Sequence, residues 1–368
     1  MEIQQKTQNR LLSLDFLRGL IMILLALESA GLYENLQEAT VEGGFIHNAL
    51  DQFFHHPWNG LRFWDLIQPG FMYMAGVAIA YSLHQQNQKG LTWNQSFIKT
   101  LRRCGLLFFW GVLDYAVRPA GLSFELWDVL TQLSFTTLAA FLIFRWPPVW
   151  QILTCVFFLL LTEVLYRFTR VPGFDQPFTD QLNFGNYMDL VLMNKINKGG
   201  WVAINCIPTA VHTIAGSLTG IWLIKYKNLA LKNILIWAVI SLTSGYFLDI
   251  VGITPIIKRI ATTSFTLASL GWCLLAMAAV YWWIDQKNHK KGLKFFTIVG
   301  MNSIFIYLFF EIVGSRWFNG YIRAISDGLL QIIHSPTQLT AIIGSLGIFS
   351  LYWGLCFFLY KKGIFFKL

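Results

Sequence analysis

His55-His56-Pro57-Trp58-Asn59-Gly60-Leu61-Arg62-Phe63-Trp64-Asp65-Leu66-Ile67-Gln68-Pro69 leads straight into Gly70-Phe71-Met72-Tyr73-Met74-Ala75-Gly76-Val77-Ala78-Ile79-Ala80-Tyr81. Imidazole, amide, cation and carboxylate thus stand at the mouth of an apolar run. A charged side chain at a helix centre costs roughly 2.5–3.5 kcal/mol on membrane-insertion scales, so such groups beside lipid usually have a use. No Asp, Glu, Lys or Arg follows Asp65 until Lys89, and the window 61–84 reads as a transmembrane helix. Pro57 suits a first helical turn, where its missing N–H costs nothing. A helix begun there carries Trp58, Arg62 and Asp65 on one face, with Arg62 as the obvious partner of Asp65. Gln68-Pro69-Gly70 then predicts a kink that opens backbone groups, as Pro208 does further on.

Composition extends the reading to the whole chain. Of 368 residues, 55% are hydrophobic and 13% charged, against about 25% charged in soluble domains. The 15 Trp, 13 Tyr and 32 Phe are enough for aromatic belts at both membrane interfaces. The net charge of +9 is scattered over short loops, which fits orientation signalling and excludes a nucleic-acid-binding face. The cysteines lie singly in apolar surroundings without metal or redox spacing, so they read as packing residues and no metal is expected. Asp15 and Arg18 interrupt the first apolar run and no small-residue cleavage site follows, so that run is expected to be retained as a span.

Windows of about 20 residues, the length a bilayer requires, fall at 14–33, 61–84, 101–118, 126–145, 148–168, 201–224, 230–251, 264–284, 295–315 and 338–360. They predict an all-α, polytopic transmembrane helix bundle of about ten spans, forming a single domain over 1–368 without internal repeats. Residues 317–333, with Arg323 and Asp327, are amphipathic and read as an interfacial helix. Counted as a span, that segment makes about eleven. Lys and Arg gather around 6–10, 89–103, 225–232, 287–294 and 361–367, which assigns that side and both termini to the cytoplasm. The long segments 34–60 and 169–200 then lie outside, where long loops often bind.

Other polar residues in apolar runs are candidates. Asp15 and Arg18 share a helical face and can pair, while Arg18 is also placed to meet an anionic ligand from the cytoplasm. Glu28-Ser29 closes the same helix on the outside. His55, just ahead of span two, is an imidazole able to titrate and act as a base. His212 reads as a core histidine. Gly300-Met301-Asn302-Ser303 is a polar step suited to helix packing.

Taken in order, Ser13-Leu14-Asp15-Phe16-Leu17-Arg18-Gly19, His55-x-x-Trp58-Asn59-Gly60-Leu61, Asp65-Leu66-Ile67-x-Pro69-x-Phe71, Gly76 and Gly300-Met301-Asn302-Ser303 resemble the heparan-α-glucosaminide N-acetyltransferase family and its bacterial relatives. The likeness runs from about residue 11 to about residue 313 and is strongest over 11–84. It implies an acetyltransferase that takes acetyl-CoA from the cytoplasm and acetylates a sugar on the far face. The family's active-site histidine maps onto His55 and not onto His56. On that expectation Trp58, Asn59 and Asp65, with Glu28 and Ser29, orient the acceptor or the thioester. Arg18, Arg102, Arg103 and Asn302 hold the donor, and Asp15 and Arg62 support these groups from behind.

His55 then either deprotonates the acceptor or is itself acetylated first, and both routes stay open. Ser29 stands where the family often has Asn, and the loop before His55 is longer than in the animal enzyme, so the acceptor is left open too. The expected setting is a bacterial inner membrane with the site near the periplasmic face. The expected partners are acetyl-CoA, a cell-envelope saccharide and the bilayer, without nucleic acid, and a homodimer is compatible. The acyltransferase-3 group of glycan O-acetylases shares the Leu-Asp-x-Leu-Arg-Gly start, but its histidine falls where this chain has Ser29. A small-molecule transporter or flippase would also use kinked spans and intramembrane charge.

Overall fold

The computed structural model describes residues 11–118 and 122–366. Among them every regular element is helical and no strand occurs, the solution open to a chain whose backbone groups must be satisfied within lipid. The α-helices are α1 (Leu12–Ser29), α2 (Leu32–Glu38), α3 (Phe45–Leu50), α4 (Ile67–Gln88), α5 (Trp93–Ala116), α6 (Val129–Ile143), α7 (Pro148–Phe168), α8 (Phe184–Met193), α9 (Cys206–Tyr226), α10 (Ala230–Ile250), α11 (Thr263–Tyr281), α12 (Leu293–Gly300), α13 (Ser303–Leu308), α14 (Asn319–Ile332) and α15 (Thr337–Lys361).

Every window read as a span from sequence holds helix. Among the described residues, 5 helical runs are long and apolar enough to cross a membrane, or up to 7 if each of two bent pairs is one span. The bent pairs are Leu12–Ser29 with Leu32–Glu38, at 58°, and Leu293–Gly300 with Ser303–Gln331, at 72°. Helix α5 is not among them because Lys99, Arg102, Arg103 and Asp114 lie within it, and α6 has only 15 residues. The apolar run Ala203–Ile250 is divided at Lys227, where φ is 48°, into α9 and α10.

Contacts gather the chain into two compact units, residues 55–278 and residues 11–54 with 279–366. In the first, α4 packs along α9. Gly76 faces the Thr213 carbonyl and Ser217 N, Gly216 faces the Tyr73 carbonyl and Val77 N, and Gly220 meets Ala80. These contacts advance together along both helices, so the two run parallel, with backbones touching where a Cβ would not fit. Tyr73 Oη donates to Thr219 Oγ1 at 3.0 Å. His212 is fully buried with Nε2 2.9 Å from Ser269 Oγ, the core histidine expected from sequence.

The structure departs from the sequence pattern at three prolines, Pro57, Pro69 and Pro208. Pro69 and Pro208 are the third residues of α4 and α9, inside a first turn whose N–H groups have no intrahelical acceptor. Neither proline breaks its helix. Each helix is instead entered through a 3-10 turn, Phe63–Leu66 and Ala203–Asn205. Pro57 lies in an irregular loop ahead of these turns, so Trp58, Arg62 and Asp65 do not share a helical face.

In the second unit, Gly19 meets the Phe296 carbonyl, and Gly300 meets the Asp15 carbonyl and Gly19 N, bringing α1 and α12 together. Asn302 is buried, donates Nδ2 to the Ile364 carbonyl at 3.2 Å and accepts Phe366 N at 3.0 Å, which ties down the last segment. At the end of α1 the Ser29 carbonyl accepts Asn319 Nδ2 at 2.7 Å, and the Ala30 carbonyl accepts Arg323 Nη2 at 2.9 Å. Ser29 Oγ lies 3.4 Å from Tyr352 Oη. Helix α14 continues from α13 through a π-helical stretch, Phe309–Phe318, and leaves Tyr321, Ile325, Leu329 and Ile332 exposed on one face. That is the amphipathic pattern expected of 317–333.

Candidate functional site

Two loops of the 55–278 unit build one cluster, 55–62 ahead of α4 and 251–262 between α10 and α11. Gly60 joins them. At φ 142° it donates its N–H to the Ile256 carbonyl at 2.8 Å. A Cβ at that position would strike the His56 ring, so glycine is required on both counts.

The 251–262 loop is buried through Ile256, Ile257, Ile260 and Ala261, and buried backbone must find partners. Side chains supply them. Asp249 Oδ1 accepts Ile256 N at 2.8 Å, and Thr262 Oγ1 accepts Ile257 N at 3.0 Å and donates to the Pro255 carbonyl at 2.7 Å. Thr254 Oγ1 accepts from Arg167 Nη2 at 3.0 Å and donates to Glu163 Oε1 at 3.1 Å. The loop therefore presents Lys258 from a fixed backbone.

Asp65 stands at the centre and is fully buried. Its Oδ2 accepts Arg62 N at 2.9 Å and His56 N at 3.3 Å. Its Oδ1 lies 3.1 Å from His55 Nδ1 and 3.6 Å from Lys258 Nζ. Lys258 is only 6% exposed and sits 3.0 Å from the same His55 Nδ1. A buried carboxylate needs both a cation and hydrogen-bond donors, and this one has both.

Two tautomers of His55 follow from these distances. A proton on Nδ1 goes to Asp65 and leaves a lone pair on Nε2. A bare Nδ1 accepts from Lys258 and puts the proton on Nε2. Nε2 has no hydrogen-bond partner among the described residues, and the side chain is 37% exposed, so that edge of the ring is open. Burial holds the imidazole below the usual histidine range, helped by Lys258 and Arg259 and opposed by Asp65. His55 is therefore neutral at physiological pH. His56 gives the cluster its backbone N–H, while its ring lies against Gly60.

Trp201 completes the wall. Its ring meets His55 edge-on at 5.7 Å, and Lys258 Nζ lies over it at 5.2 Å, a cation–π contact. Asp189 positions the chain beside it: Oδ1 accepts Ala203 N at 2.9 Å and Oδ2 accepts Trp127 Nε1 at 2.9 Å. Burial pushes the Asp189 carboxyl up to about 7, against the lowering effect of those two hydrogen bonds.

Of the residues singled out from sequence, His55, Asp65 and Arg62 come together here. Trp58 lies alongside, but its indole N–H is committed to the Phe178 carbonyl at 2.8 Å and the residue packs against the buried cluster of Tyr166, Phe184, Val202, Ile257 and Ile260. It fastens the 55–62 loop to the 169–200 segment. Asn59 is exposed and makes no hydrogen bond among the described residues. Arg102 and Arg103 lie mid-way along α5. Asp15, Arg18, Glu28, Ser29 and Asn302 belong to the other unit, where Ser29 and Asn302 serve the contacts described above. Sequence reasoning passed over Lys258, Trp201 and Asp189. The one signal for Lys258 was a pair of cations in the otherwise apolar stretch Thr254-Pro255-Ile256-Ile257-Lys258-Arg259-Ile260. No protein-family model matches the chain, and no curated protein matches its sequence.

Proposed function

We propose that this protein is an integral-membrane acyltransferase that moves an acetyl group from cytoplasmic acetyl-CoA to an amino or hydroxyl group of a saccharide. On this reading the chain has about ten spans and cytoplasmic termini, and it sits in a bacterial inner membrane with His55 near the periplasmic face. The observation that carries the reading is the His55, Asp65 and Lys258 cluster. A neutral imidazole with an open Nε2 and a buried carboxylate behind Nδ1 suits a general base or an acyl-accepting nucleophile. The order of motifs, which resembles that of heparan-α-glucosaminide N-acetyltransferases, supports the reaction class.

As base, Nε2 takes the proton of the acceptor while the acceptor nitrogen or oxygen bonds to the thioester carbonyl carbon. The carbon–sulfur bond then breaks, and Nε2 returns its proton to the departing thiolate. Asp65 meets the Nδ1–H of the imidazolium, with Lys258 turned to Oδ1. Lys258, Arg62 and Arg259 outnumber Asp65 here, a surplus of positive charge suited to the carbonyl oxygen as negative charge develops on it. On the two-step route Nε2 itself bonds to the thioester carbonyl carbon, and the carbon–sulfur bond breaks to release the thiolate. The acceptor then bonds to the acetyl carbon, the bond to Nε2 breaks, and the acceptor's proton goes to the thiolate.

Detergent-purified protein is incubated with radiolabelled acetyl-CoA and a panel of amino sugars and envelope glycans. Wild type and His56→Ala should transfer label, and His55→Ala should lose about 10²–10⁴-fold. Absence of both CoA binding and transfer in the wild type refutes the reading and favours a transporter.

A further inference from the structure

The far ends of α4, α6 and α9 meet the start of α5 around a cavity of about 330 Å³. It lies roughly 30 Å along α4 from the His55 cluster, at 1.5 Å per residue. Its volume falls within the range of small-molecule sites, about 300–1,000 Å³. The polar lining is His84, Asn87, Ser96, Arg145 and Lys225, and no Asp or Glu is among the lining residues.

The arginine is held in place. Its guanidinium carbon lies 4.2 Å from the centre of the Trp93 ring, which also stacks on Phe141 at 4.3 Å. Neither Arg145 nor Lys225 has a carboxylate partner among the described residues. Trp93 and Ser96 belong to the first turn of α5, which turns the positive end of that helix dipole toward the cavity. Cations beyond α6 and near the end of α9 also complement the C-terminal ends of those helices, but that role calls for no cavity and no arginine clamped on an indole.

We infer that this cavity binds a phosphate group. Arg145 and Lys225 supply the charge, and Ser96 and Asn87 supply neutral hydrogen bonds. Two carriers present that chemistry, the nucleotide end of a soluble metabolite and the headgroup of an anionic phospholipid. The inference stands independently of acyl transfer at His55.

The test uses the full chain, wild type and the double variant Arg145→Gln/Lys225→Gln. Radiolabelled adenosine 3′,5′-bisphosphate is applied in equilibrium dialysis, and retained phosphatidylglycerol is counted by native mass spectrometry. One of the two should bind the wild type and weaken about tenfold or more in the double variant, the usual loss for charge-assisted hydrogen bonds. Lys232→Gln, an exposed cation outside the cavity, should leave binding unchanged. Dialysis binding assigns a soluble carrier, and lipid retention assigns a headgroup. If the wild type binds neither, or the double variant binds both as well as wild type does, the inference falls and the cations serve the helix ends alone.

Discussion

Asp65→Asn should destabilise the protein and disable His55, and the two effects arise at different atoms. Asp65 is 0% exposed and Lys258 6%. At their 3.6 Å separation, an effective dielectric of about 20 gives a Coulomb attraction of about 4–5 kcal/mol. Breaking a buried pair from one side costs about 3–5 kcal/mol, because the remaining charge stays buried without a partner. The new amide makes matters worse. If its oxygen keeps Arg62 N and His56 N, its NH₂ faces Lys258 Nζ and His55 Nδ1. It then donates to Nδ1 and fixes the proton on Nε2, so His55 can no longer act as a base. A tautomer reversal of this kind costs about 10⁴-fold in turnover.

Thermal unfolding in detergent and acetyl transfer are measured on the same preparations. The expected drop in unfolding temperature is on the order of 10 °C. Adding Lys258→Met removes the orphaned charge, so the double variant should regain much of the lost stability while transfer stays low. The reasoning is refuted if Asp65→Asn unfolds within about 1 °C of wild type, or if the double variant is less stable than Asp65→Asn alone.

Three further outcomes are expected. His55 must be neutral to act, and burial with Lys258 keeps it below the usual histidine range, so transfer should persist as pH falls through that range and fail only below it. Lys258→Met removes one lowering influence, so the acid limb of kcat/KM should move to higher pH, and an unmoved limb contradicts the assignment. Gly76→Ala sets a methyl group against the Thr213 carbonyl and should cost about 1–3 kcal/mol by overpacking α4 against α9. Gly105→Ala, where a Cβ meets nothing within 4 Å, should be neutral or slightly stabilising, and equal effects at the two sites would sink the close-packing argument. Asp189 titrates at about 7 in the folded protein, above its unfolded value of about 3.9. Its stabilising contribution is complete below the unfolded value and is lost as pH rises to about 7, so the unfolding temperature should decline across that window in wild type and decline less in Asp189→Asn. Parallel slopes would count against the burial account.

Apolar length made the helices legible, because a bilayer-sized run leaves few alternatives to helix. The beginnings of α4 and α9 were not. Pro69 and Pro208 read as kinks only if the helix has already started, and nothing local reveals the preceding 3-10 turns. Pro57 carried a strong first-turn preference, yet Gly60 at positive φ and its hydrogen bond to Ile256 hold that stretch as loop. His55 and Asp65 could be chosen because they are close in sequence and costly near lipid. Lys258 could not, since it reaches His55 across 203 residues and no spacing rule spans that distance. Trp58 and Asn302 become ligand contacts only through the family resemblance, whereas the residues alone make Asn302 part of a helix-packing step. Their partners, the Phe178 and Ile364 carbonyls, are backbone atoms with no sequence signature.

The distance between the two loops also sets an order of events during synthesis. Translation at about 5–20 residues per second brings Lys258 out roughly 10–40 s after His55. Through that interval the mouth of α4 holds Asp65 without its lysine, and the loop that Gly60 will fasten has no Ile256 to fasten to. The first third of the polypeptide thus waits on the last third before its entrance can close. A chain that stops short of residue 258 carries an uncompensated acid at the edge of a hydrophobic helix, a defect that distinguishes an unfinished molecule from a finished one.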